Sequence, residues 1–183
     1  MARLPDIDPA TMNAAQKRVY DAIIAGPRGT VEGPLRIWLS SPELADRAQA
    51  LGAFCRFGTS LEPRLSELAI ITTGAYWRAG FEWHVHAPIA LKAGLESSVV
   101  EAIRQSQKPE FAREDEAIVH RFTQELWTTR KVSPDAFVAA VQAVGARGVV
   151  DLVGIIGYYG LISMTITAFE VDIPGTPVDY FGA

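Results

Sequence analysis

The chain has 183 residues, with 17 lysines and arginines against 21 aspartates and glutamates, and so a net charge of −4. A single domain with enough chain to bury a core accounts for the length, and the acidic balance argues against a general binder of nucleic-acid phosphates. Hydrophobic residues at 49% and charged ones at 21% exclude a disordered chain and suit a protein that buries surface against copies of itself.

The start and stop signals along the chain enclose apolar residues spaced by three and four, the pattern of an all-α fold. Asp8-Pro9 reads as the cap and first turn of a helix with Met12, Val19 and Ile23 on one face, stopped by Gly26-Pro27. Residues 26–34 read as a glycine-rich loop. Ser41-Pro42-Glu43 opens a second helix carrying Leu44, Leu51, Phe54 and Cys55, with Ser41 as its N-cap. A strongly apolar helix is expected from 63 to about 77, then a break at Arg78-Ala79-Gly80. The next helix runs from about 81 to 93, closed by Gly94-Leu95. A short helix near 98–104 and an amphipathic one from about 114 to 130, with Ile118, Phe122 and Leu126 inward, come before Ser133-Pro134-Asp135, which opens another helix as Ser41 does.

The last helix is expected from about 149 to 169. Its window 152–169 carries no charge, yet it holds three glycines and several hydroxyls and is flanked by Asp151 and Glu170 instead of basic or aromatic anchors. It reads as a buried helix, not a membrane span. Gly154, Gly157 and Gly160, three apart, leave a strip where another backbone can come close, in the core or between subunits. The N-terminal prolines and acids, Pro5-Asp6-Ile7-Asp8-Pro9, stand where a secretory signal would be apolar, so the cytoplasm is the expected compartment. One cysteine, Cys55, excludes an intramolecular disulfide, a cysteine-built zinc site and a two-cysteine redox mechanism.

Two of the three histidines fall in Glu82-Trp83-His84-Val85-His86. Residues four apart share a helix face, so Glu82 can touch His86 while His84 points elsewhere. Glu67 lies fifteen residues before Glu82 in an apolar run, where a buried carboxylate needs a partner. If the two helices pack side by side across the break at 78–80, Glu67 reaches His86 and sets which ring nitrogen carries the proton. Such a set can take a proton from one atom and return one to another. The bland alternative for Glu82 and His86 is a surface pair at a helix start. His120, beside Glu116 and Gln124 on a polar face, is assigned to solvent, and Cys55 to a buried structural thiol. Tyr76, Trp77 and Trp83 are spaced as core aromatics, with Trp83 also the expected wall of a pocket. A metal held by Glu67, Glu82 and His86 is disfavoured, because a catalytic zinc takes more nitrogen or sulfur donors.

On Ser66-Glu67-Leu68, Glu82, His86 and Gly94 the chain resembles the carboxymuconolactone decarboxylase family, which includes the alkylhydroperoxidase D branch. The resemblance is strongest over about thirty residues, within a motif core at 61–95 of one domain spanning 1–183. It implies the all-α, alkylhydroperoxidase D-like fold, homo-oligomers (trimers or hexamers) and an active site beside the motif helix. The peroxidase branch carries Cys-x-x-Cys where Ala79 and Glu82 stand here, and a histidine at Phe81, so its thiol chemistry does not transfer. The decarboxylase branch matches through Glu82 but has arginines where this chain has Ser66 and His84. Arg64 and Arg78 are near enough in sequence to replace them. The expectation is a cofactor-free lyase acting by acid/base chemistry on a small carboxylated or lactone-like substrate. Glu67, Glu82 and His86 would be catalytic and Trp83 substrate-binding, with no metal, nucleic-acid or membrane partner. An alkylhydroperoxidase-like antioxidant and a non-catalytic helical oligomer that binds a small molecule are the alternatives.

Overall fold

A computed structural model describes residues 3–175 and 178–182, and shows eight α-helices and no strand among them. The chain is all-α. Its centre is α4, Pro63–Tyr76, in which every residue from 64 to 74 is buried. A helix buried on every side is a core rod, and α4 packs on α5 (Gly80–Lys92), α7 (Glu114–Thr129) and α8 (Pro134–Phe169). One cation enters this rod. Arg64 bonds Asp115 and Glu116, each at 2.6 Å, and so ties the start of α4 to the acidic first turn of α7.

The N-terminal half wraps this core. Asp8 caps only a 3-10 turn, Pro9–Thr11, and Met12 precedes the first helix. That helix, α1 (Ala14–Ala25), is opened by Asn13 and Gln16, each side chain accepting from the other's backbone N–H. The expected loop ends at Gly33, and Pro34–Trp38 is a short helix, α2, that apolar spacing was too brief to disclose. Gly33 sits at φ +56°, where an added Cβ would strike the Phe81 ring. In α3, Pro42–Phe57, the Ser41 side chain makes no capping bond, and the proline at the first position carries the start alone. Its buried face is Ala45, Ala48, Gly52 and Cys55, whereas Leu44, Leu51 and Phe54 are exposed. α6 is Ser97–Arg104.

Helix α8 is entered through Ser133, whose hydroxyl does accept from Ala136 N–H. It reaches Phe169 through one non-helical break at Gly145, φ +72°, so the two helices read from the sequence meet there at a kink. By length and apolarity it qualifies to cross a membrane, yet 67% of its most apolar window is buried inside the protein. Gly160 admits the Trp127 ring, which a Cβ would meet at 2.7 Å. Gly154 and Gly157 face nothing within 4 Å in the single chain. After α8 the chain returns across α5. Tyr180 meets His84 Nδ1 at 2.7 Å, and its carbonyl accepts from Arg104. The carbonyls of Phe181 and Gly182 accept from Arg78.

Candidate active site

Helices α4 and α5 form a hairpin whose turn uses Arg78 at φ +51°. Glu67 precedes that turn on α4 and His86 follows it on α5, and antiparallel packing of the two helices brings them together. His86 Nδ1 stands 2.7 Å from Glu67 Oε2. On the other side of the ring, Nε2 stands 3.2 Å from Glu82 Oε1, one turn earlier on α5. That contact has ion-pair distance without hydrogen-bond direction, and Glu82 Oε1 is buried with no hydrogen-bond partner. All three side chains are buried: Glu67 5%, Glu82 4% and His86 3% exposed. The imidazole therefore bridges two sheltered carboxyl groups, and the surface-pair reading of Glu82 and His86 is overturned by that burial.

Gly74, two turns after Glu67 on α4, gives Glu82 its room, since a Cβ there would lie 3.3 Å from Glu82 Cγ. Burial is the largest influence on Glu82 and lifts its carboxyl above the usual glutamate range. Glu67 reinforces this, while His86, Arg56 and Arg28 oppose it.

A cavity of about 90 Å³ opens on Glu82 and His86, space for a molecule of several heavy atoms. Its apolar wall is Leu35, Phe81, Val85 and Ile162. Its polar lining comes from elements far away in sequence. Tyr159 packs edge-on to the His86 ring at 5.1 Å, and its hydroxyl is buried without a partner. Burial holds the Tyr159 hydroxyl well above its ordinary pKa and pushes that of Tyr158 up to about 12, so both remain O–H donors. Arg28, from the loop before α2, donates to the Tyr158 hydroxyl at 3.1 Å. Arg56, from α3, lines the same cavity. Gly52, one turn before Arg56, lets both groups in, because a Cβ would fall 2.0 Å from the Tyr158 hydroxyl oxygen and 2.4 Å from an Arg28 nitrogen.

Four sequence expectations change. Trp83 does not wall this cavity. It packs edge-on to Phe181 at 5.5 Å and lines a separate groove under the C-terminal segment, because its side of α5 is turned away from His86. Arg64 is held by Asp115 and Glu116, and Arg78 by the carbonyls of Phe181 and Gly182, so neither supplies a charge here. His120 is half-buried where solvent exposure was expected, with the Phe111 ring beside it, and burial drops its pKa to about 4. Cys55, by contrast, is fully buried as expected, its thiol pushed up to about 11 by burial. Arg28, Arg56, Tyr158 and Tyr159 were not singled out by sequence reasoning. The one local hint was a pair of tyrosines inside an otherwise apolar helix.

Among the described residues no group of three His, Cys, Asp or Glu side chains is arranged to hold a metal ion. The chain matches no family model and no curated protein.

Proposed function

We propose that this protein is an acid/base enzyme, a lyase of the carboxymuconolactone decarboxylase type without cofactor. It would act on a small substrate with a carboxylate placed β to a carbonyl. The observation that carries this reading is the buried Glu67–His86–Glu82 array, whose Glu82 and His86 line a cavity. Loss of carbon dioxide breaks a C–C bond and sends its electron pair into the carbonyl as an enolate, which must be stabilised and then protonated on carbon. The unpartnered Tyr159 hydroxyl is the donor available for the enolate oxygen. Glu82, favoured in its protonated form by burial, is the acid, and His86, oriented through Nδ1 by Glu67, moves the replacement proton.

The resemblance to the family and its alkylhydroperoxidase D-like fold belong to the same proposal, as do a cytoplasmic location and assembly into trimers or hexamers. A thiol peroxidase has less support, since Cys55 is fully buried and resists ionisation. With the oligomer intact, His86→Ala is expected to lower turnover of a β-keto or lactone-type carboxylate by at least ~100-fold. Turnover equal to the parent would reject the role given to His86.

A further inference from the structure

The cavity over His86 is lined by two guanidiniums that no carboxylate among the described residues pairs, Arg56 resting only over the Phe57 ring. Arg28 donates to a neutral hydroxyl, Tyr158, and its Nε is buried with no acceptor. Among the described residues, no carboxylate lies within ion-pair distance of Arg28 or of Arg56. A guanidinium kept half-buried beside apolar walls without a counter-charge is costly, and an anion that enters the cavity relieves that cost. The carboxyl groups lining the same space are Glu32, at the loop side, and Glu82, beside His86, whose protonated form burial favours.

We infer that Arg28 and Arg56 form a carboxylate-binding subsite that selects a small monoanion and holds it over the Glu82–His86 pair. Two guanidiniums set against Glu32 leave about one positive charge to be met, and a second negative charge on the ligand would have no cation to meet it. The volume of about 90 Å³ limits the ligand to a short carbon skeleton. Arg28 belongs to a loop and Arg56 to α3, so the subsite lies outside the α4–α5 hairpin. Gly52 makes it possible by leaving space for the Arg28 guanidinium against α3. The inference rests on the enzymatic reading only for the purpose of the anion, since binding itself is independent of turnover.

Calorimetric titration of the full chain with acetate, propionate and crotonate tests it, with their amides as uncharged controls and succinate and inorganic phosphate as dianions. The monocarboxylates are expected to bind at least ~10-fold more tightly than the amides and more tightly than either dianion. Arg28→Gln and Arg56→Gln are each expected to weaken that binding by ~10-fold or more, as loss of a hydrogen bond to a charged group does. Arg28→Lys, which keeps the charge and loses the fork, should fall between. Amides or dianions binding as well as the monocarboxylates would overturn the subsite, and so would variants that bind like the parent or a parent that binds none of these ligands. If the binding pattern holds and no carboxylate is ever turned over, the subsite stands and the acid/base reading alone fails.

Discussion

Glu82 is buried and His120 half-buried, and each gives the protein a pH dependence of opposite sense. The folded chain holds the Glu82 proton more tightly than the unfolded chain does, chiefly because of burial. The stability this provides is complete below the ordinary glutamate pKa and is lost as pH rises through the higher folded value. Glu82→Gln should therefore be more stable than the parent at neutral and alkaline pH. Urea unfolding over a pH series checks this, and an unaltered slope would contradict it. For His120 the folded pKa is lowered to about 4 from 6.5. Its contribution is full above 6.5 and is lost as pH falls through 4, so His120→Gln should flatten the acid limb of the same curve between those values. The sequence placed Glu82 and His86 on one face by their spacing, and Glu67 followed from its apolar neighbours. His120 defied the same reasoning because its neighbouring ring, Phe111, lies before α7 and Glu116 on its face is itself buried against Arg64.

At the scale of the helix, prolines and glycines made most boundaries legible, since a missing N–H or a positive φ acts locally. What a helix touches is not local. The apolar stripe on α3 was visible, yet its buried residues are the small ones, Ala45, Ala48 and Gly52, because α8 approaches closely with Tyr158. Gly52→Ala is expected to cost about 1–3 kcal/mol by forcing Tyr158 and Arg28 aside, read as a lowered urea midpoint. The junction of α4 and α7 is more sensitive. Arg64→Ala leaves Glu116, 2% exposed, without its cation, and a loss of about 3–5 kcal/mol is expected in the same measurement. A loss below about 1 kcal/mol would mean that water reaches Glu116 freely.

For the molecule as a whole, the single chain leaves Leu51, Phe54 and Phe57 on α3 and Val150, Val153 and Met164 on α8 exposed. Gly154 and Gly157 lie open on the same side of α8 as Val150 and Val153. The proposed trimer or hexamer would cover apolar surface of this kind, and light scattering should report such a mass. Leu51→Glu with Val153→Glu is expected to shift it toward the monomer, and a parent that is already monomeric would end that proposal. Periodicity could reveal that these side chains are apolar, but whether they face the core or a neighbour depends on packing between distant elements. The same reason kept Arg28, Arg56 and the two tyrosines out of the sequence reading, since a loop and two helices distant in sequence must assemble before they share a cavity.

The backbone of the stretch from 178 to 182 is fastened through its carbonyl oxygens, which accept from Arg78 and Arg104, and its side chains through Tyr180 on His84 and Phe181 on Trp83. Of its backbone N–H groups, only that of Phe181 has an acceptor among the described residues, the side chain of Asp179. In deuterated water its amides should consequently label almost as fast as those of a free peptide, although the segment is docked. Labelling would mistake it for a loose end, whereas the emission of Trp83, whose ring rests on Phe181, would register whether it has left its seat.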